Sequence, residues 1–210
     1  MKLGSVKSRV RNMAGDISAL QFTDVELVDW INDGIRECAL SNNLLQKRGT
    51  QPTELGKDSY ELPDDILKMH SVMFDNVKLD VLTLEEFDKY VPGVGTNDSN
   101  QSRGGPVCCY IWANSLTLFP APNRVAPLII NYIYQPDQLE KDDDTVELPL
   151  PVSYHSRIVD YCLAMVAQQD DDMERYNLKI TEFKTGVQDL RSDQYVQDVY
   201  PSITVSPRDM

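Results

Sequence analysis

Apolar residues recur along the first part of the chain at steps of three and four. Leu3, Val6, Val10, Met13 and Ile17 share one side of a helix, and Gly15-Asp16 predicts an interruption of that stripe. A second helix start is sharper. Thr23 with Glu26 spells a capping box, and Phe22 and Leu27 stand where a hydrophobic staple would place them. Leu27, Ile31, Gly34, Ile35 and Cys38 continue one stripe, which is expected to fade near Ser41-Asn42-Asn43.

From about Gly49 the period changes. In "SYELPDDILKMHSVMFDNVKLDVLT", turn residues at Pro63-Asp64-Asp65 and Asp75-Asn76 separate β-rich pieces. Thr83 with Glu86 makes a second capping box, opening a short helix with Leu84, Phe87 and Tyr90 on its apolar side. "VPGVGTNDSNQSRGG" predicts a long, exposed, mobile loop. "GGPVCCYIWANSLTLFPAP" (104–122) then predicts a hairpin turning near Ala113-Asn114, with Cys108 and Cys109 pointing to opposite faces. A last strand, "PLIINYIYQP", sets Leu128, Ile130, Tyr132 and Tyr134 on one face.

"DQLEKDDDTVELPLP" reads as a charged linker, and helices return after it. Tyr154, Ile158, Tyr161, Cys162, Met165 and Val166 form one buried stripe. Beyond the acidic corner Asp170-Asp171-Asp172, the positions Met173, Tyr176, Ile180, Phe183, Val187 and Leu190 make a heptad-like seam that must pack on another helix. The expected fold class is therefore α+β. Residues 1–50 plus 150–192 would form an α-helical bundle, and 51–149 an inserted antiparallel β domain. Residues 193–210 would form an extended tail in which Tyr195, Val196, Val199, Tyr200, Ile203 and Val205 are apolar and prolines stand at 201 and 207. Such a tail is too short to bury itself and must be covered, by its own bundle or, on the sharper reading, by a partner.

Charge narrows the function. The 210 residues carry a formal net charge of −13. That argues against a general binder of nucleic acid or anionic membrane, because phosphate recognition needs a basic footprint. The one basic cluster, Lys2, Lys7, Arg9 and Arg11, reads as a solvated helix face before it reads as a phosphate site. "MKLGSVKSRV" lacks the apolar core of a signal peptide, and no run predicts a membrane helix. The four cysteines show no metal-type spacing, and with only two histidines a zinc site is not expected; buried, reduced thiols are.

Catalytic patterns are missing too. The chain has no GxSxG, HExxH, P-loop or GxGxxG sequence. The runs Asp142–Asp144 and Asp170–Asp172 lack the alternating ligands of a calcium loop and read as solvated corners. No catalytic, cofactor-binding or metal residue is assigned.

Four segments in order carry a resemblance: "YELPDDILKMHSV", "GGPVCCYIWANSLTLFPAP", "INYIYQPDQL" and "LPLPVSYHSRIVDYCLAMVA". The shared elements are Tyr60-x-Leu62-Pro63-x-Asp65, a Gly-x-Pro hairpin ending in Leu-x-Pro-x-Pro, Tyr134-x-Pro136-x-x-Leu139, and Leu150-Pro151-x-x-Tyr154-His155. Over roughly residues 1–192 the chain resembles the head-to-tail adaptor (connector) proteins of tailed bacteriophages, including the tail tubular protein A type. The tail after Ser192 and the loop 92–105 are departures from the pattern.

The resemblance implies a structural virion protein of the neck or tail region, made in the bacterial host cytoplasm, and no enzyme. It implies a homo-oligomeric ring, dodecameric in similar proteins, between the portal protein and a tail or nozzle protein. DNA would pass through the lumen without specific binding. Separately from the resemblance, the apolar content of the C-terminal tail, on its sharper reading, makes portal the expected docking partner of those residues. The alternatives are another neck or stopper-type ring, or a small-ligand-binding module or enzyme using the β insert as its pocket.

Overall fold

The computed structural model describes residues 1–90 and 105–199, and the side chains of 1–89 and 105–191. Helices and strands alternate in blocks. First come α1 (Leu3–Ala14) and α2 (Asp24–Asn42), then β1 (Gln46–Pro52), β2 (Ser59–Glu61), β3 (Ile66–Phe74), β4 (Val77–Leu82) and α3 (Leu84–Tyr90). They are followed by β5 (Cys108–Trp112), β6 (Ser115–Phe119), β7 (Pro127–Tyr134), α4 (His155–Gln169) and α5 (Met173–Val199). The fold class is α+β, and the chain divides into two compact units. One joins Met1–Leu45 with the chain from Pro136 onward; the other is Gln46–Gln135.

Local chemistry sets the helix ends of the first unit. Gly15 closes α1 because it takes a left-handed conformation (φ 83°) and returns its N–H to the carbonyl of Arg11. Thr23 opens α2: its hydroxyl accepts from Glu26 N–H at 3.2 Å, while Glu26 Oε2 accepts from Thr23 N–H at 2.7 Å. Asn43, also left-handed, ends it.

The other helices of this unit pack on α4, which buries Ile158, Val159, Cys162, Leu163, Ala164, Val166 and Ala167. Gly34 lets α2 come close, since a Cβ there would lie 3.2 Å from the Tyr161 ring. On α5, Phe183 meets Tyr161 edge-on with centroids 5.1 Å apart. The amide of Asn42 joins three segments, donating to Tyr154 Oη at 2.6 Å and to the Val187 carbonyl at 2.7 Å.

Several sequence expectations change in this unit. Met13 and Ile17 are exposed, because the chain turns at Gly15 and the α1 stripe ends at Val10. In the α5 seam only Phe183 and Val187 are buried; Tyr176, Ile180 and Leu190 are half-buried and Met173 is exposed. The segment read as a charged linker within the β domain instead folds onto the helices. Leu3 N–H bonds Val146 O at 2.9 Å, Gly4 N–H bonds Asp144 O at 3.1 Å, and Asn32 exchanges two 3.1 Å hydrogen bonds with the backbone of Leu139. Leu139, Leu148 and Leu150 are its apolar anchors. The tail also begins later than expected: α5 runs to Val199, so Tyr195, Val196 and Val199 are helical rather than extended. Nothing between Ser192 and Val199 breaks a helix. Pro201 is the first residue that does, and it biases the residue before it away from helix as well. Tyr200, Ile203 and Val205 lie outside the described residues, as do the side chains of the other three.

Among the described residues of the second unit, seven strands form one sheet in the order β1-β7-β3-β4-β5-β6-β2. Asp75-Asn76 and Ala113-Asn114, all at positive φ, make the tight turns of the β3–β4 and β5–β6 hairpins. The expected all-antiparallel arrangement fails at one place, because β4 and β5 pair in parallel. Parallel neighbours need a long crossover, and the chain between them contains α3. One face of the sheet buries Tyr60, Val72, Leu79, Cys109, Leu116, Leu118, Leu128, Ile130 and Tyr132 as a single core. On the other face α3 contributes Phe87, whose ring lies 4.4 Å from Tyr110 and 5.5 Å from Phe119. Cys108 and Cys109 are both buried, one on each face. The polar loop expected over 92–105 lies, up to residue 104, outside the described residues.

Phe183→Ala removes a buried ring that Tyr161 packs against. It should destabilise the protein by about 3–5 kcal/mol, measured by thermal or urea unfolding. Ile180→Ala, at a half-buried position, should lose clearly less.

Candidate functional site

The four cysteines are free and buried. Burial pushes the thiols of Cys38 and Cys109 up to about 12 and raises that of Cys162, so they stay protonated and unreactive near neutrality. Burial is also the main cause lowering the His155 pKa, and its Nε2 lies 2.8 Å from the Leu150 carbonyl. That is a structural histidine. Among the described residues no group of three or more His, Cys, Asp or Glu could hold a metal ion, and no helix is long and apolar enough to cross a membrane.

The acidic runs have local duties. Asp172 Oδ1 accepts from Arg175 N–H at 3.0 Å at the start of α5, and Asp143 Oδ2 accepts from Glu140 N–H at 2.9 Å. The third duty, at Asp144, leads to the basic cluster. Lys7 and Arg11 are not solvated but buried. Lys7 Nζ reaches Asp144 at 2.8 Å and Asp24 at 3.0 Å. Arg11 reaches Asp16 at 2.8 Å, Asp24 at 2.6 Å and the Phe22 carbonyl at 3.1 Å, and lies over the Phe22 ring. Sequence reading missed this because each cation's partners stand on other segments, one of them 137 residues away.

Asp16 is the hub of a short loop. Besides Arg11 it accepts from the N–H of Leu20 at 2.7 Å and Gln21 at 3.2 Å, and more weakly from Phe22 at 3.5 Å. Burial alone would raise its carboxyl pKa, but these backbone donors and Arg11 hold it below the ordinary range. The Asp24 carboxyl is lowered chiefly by its hydrogen bond from Arg11. Wound on Asp16, the loop displays Ile17 and Leu20 to solvent at 75% and 87% exposure. Ala19 supports it at φ 54°.

A second surface feature lies on the same unit. Glu37 and Ser41 of α2 and Lys184, Gln188 and Arg191 of α5 border a groove of about 280 Å³ floored by Phe183 and Val187. On the β unit, Trp112 stands exposed at the end of β5.

The sequence model of one family, described as SU10 adaptor protein, matches residues 1–206. The chain belongs to that family. The match runs through both units, so the helical frame and the β insert are family features rather than a fusion of unrelated parts. It is consistent with a phage head-to-tail adaptor, a structural protein of the virion neck. No curated protein matches the chain.

Arg11→Met should lower the melting temperature at pH 7 by stripping Asp16 and Asp24 of their guanidinium. Both carboxyls are depressed in the folded state, so their contribution is present above the ordinary carboxyl pKa of about 4 and is lost as pH falls through the depressed values. The deficit of the variant should therefore persist from pH 7 to about pH 4 and shrink only below that, which a melting series against pH will show.

Proposed function

We propose that the protein is a head-to-tail adaptor that assembles as a homo-oligomeric ring, a dodecamer as in similar proteins, between portal and tail. The observation that carries this reading is the family match over residues 1–206. The helical unit would serve as the bundle domain of each subunit and the β unit as its inserted module. DNA passes through the ring without specific contacts.

The charge distribution supports that last element. Each free Lys or Arg on a channel wall is a salt-dependent sticking point for phosphate. Here the net charge is −13, and Lys7 and Arg11 are neutralised inside the fold. An acidic wall would repel the duplex and keep it centred. Particle mass and electron images test the assembly: a ring density between portal and tail is expected, and a chain absent from that position would overturn the proposal. Acids should outnumber bases on the channel wall, and the isolated protein should bind duplex DNA negligibly at physiological salt. Sub-micromolar binding that weakens with salt would contradict the conduit.

The tail residues Tyr195, Val196, Val199, Tyr200, Ile203 and Val205 remain the proposed portal-docking segment. Their apolar content supports this, and a ring multiplies weak contacts through avidity. Truncation after Val199 leaves α5 whole and removes Tyr200, Ile203 and Val205. The shortened protein should melt as the full chain does yet fail to attach to portal. A lowered melting temperature with attachment intact would assign the tail to the protein's own fold.

A further inference from the structure

A ring built by rotation needs two different, mutually complementary surfaces on each subunit, one presented to each neighbour. The helical unit carries such a pair. At the start of α2 the loop wound on Asp16 presents Ile17 and Leu20. Past the middle of α2 and at its far end, Glu37 and Ser41 border the groove over Phe183 and Val187. Helix rise puts about 25 Å of α2 between them. A knob and a socket at opposite ends of one helix suit head-to-tail repetition, and one chain cannot engage its own pair.

The loop's construction argues that the exposure is purposeful. A buried carboxylate, a buried guanidinium and three backbone N–H groups fix its shape. A loop this well held could have turned its aliphatic residues inward, yet Ile17 and Leu20 are among the most exposed apolar side chains described. The backbone that carries them is already held before any partner arrives, which lowers the ordering cost of association.

Charge points to a second copy as the occupant. A chain of net charge −13 repels its own copies over most of its surface. Residues 17–22 carry no charge, and Asp16 is matched by Arg11. The groove rim holds one acid, Glu37, against two bases, Lys184 and Arg191. These are places where two acidic subunits can approach without opposing each other. The groove's 280 Å³ admits aliphatic side chains of this size.

We infer that Ile17 and Leu20 of one subunit seat in the α2–α5 groove, over Phe183 and Val187, of the next. This rests on the ring reading and supplies its subunit contact.

Cross-linking tests it on the full chain. Leu20→Cys and Ser41→Cys are combined in one chain, where they stand too far apart to bridge within a subunit. The four native thiols are buried and do not compete. Mild oxidation of assembled rings should give a ladder of disulfide-linked multimers, and either single variant should not. Leu20→Asp, at an exposed position, should keep the melting temperature and abolish or severely weaken ring assembly. Rings that form normally with Leu20→Asp, or that give no ladder, overturn this contact and leave the ring reading standing. Wild-type protein that forms no ring, alone or on portal, overturns both. A ladder that appears only after truncation beyond Val199 would show the chain's own tail filling the groove in the intact protein, and would also overturn the inference.

Discussion

A guanidinium removed from water must find every partner inside the fold, and Arg11 shapes much of the helical unit by that requirement. Only 9% of the residue remains exposed. Its donors are divided between the carboxylate that winds the loop after α1, the carbonyl of Phe22 just before α2, and Asp24 in the first turn of α2. Asp24 also sits at a helix N-terminus, where a negative charge is favoured. Lys7, one turn earlier on α1, shares Asp24 and brings in Asp144 from the far side of the β insert. Taking Arg11 away would leave the buried Asp16 carboxylate without its counter-charge, which is worse than losing an exposed pair. The turn between the first two helices and the seating of residues 136–149 on α1 therefore depend on each other.

Elements specified by neighbouring residues were legible in the sequence. Both capping boxes, the turns at Asp75-Asn76 and Ala113-Asn114, and the stripe from Leu27 to Cys38 form as their local chemistry demands. The order of helical frame, β insert and returning helices was readable as well, because the change of hydrophobic period marks it. What could not be read was whatever depends on a distant partner. Nothing near Lys7 announces Asp144, so a buried cation looked like a solvated one. Nothing in "DQLEKDDDTVELPLP" announces that it packs on α1, although Leu139, Leu148 and Leu150 are its anchors in retrospect. The parallel β4–β5 pair depends on the path of a crossover, which turn chemistry does not encode.

The hairpin of β5 and β6 illustrates how an element without reactive groups acquires importance. Its alternating side chains serve two cores at once. Cys109, Leu116 and Leu118 enter the main core of the β unit, while Tyr110 and Phe119 receive Phe87 from α3. Two adjacent cysteines are apt for this position, being small enough to be buried on opposite faces of one strand. Burial raises both thiols, so near neutrality the pair stays protonated and contributes packing. The candidate interaction surfaces likewise consist of placement. The Asp16 loop and the α2–α5 groove have no reactive centre; their content is which apolar residue is shown and which is covered.

Acidity imposes a further order on these surfaces. On the proposed ring reading, like-charged subunits would repel over the Debye length, roughly 8 Å at physiological salt, and copies would have to meet where charge is absent or balanced. Internal pairing helps in two ways. It removes Lys7 and Arg11 from the surface, where they would attract phosphate, and it cancels Asp16 and Asp24 near the displayed loop, where they would repel a neighbour. The same ion pairs that shape the α1–α2 turn therefore leave the uncharged residues 17–22 beside a charge-balanced cluster. On the proposed ring reading, a subunit would have to hold to its own kind while a polyanion passes, and one buried network would serve both needs.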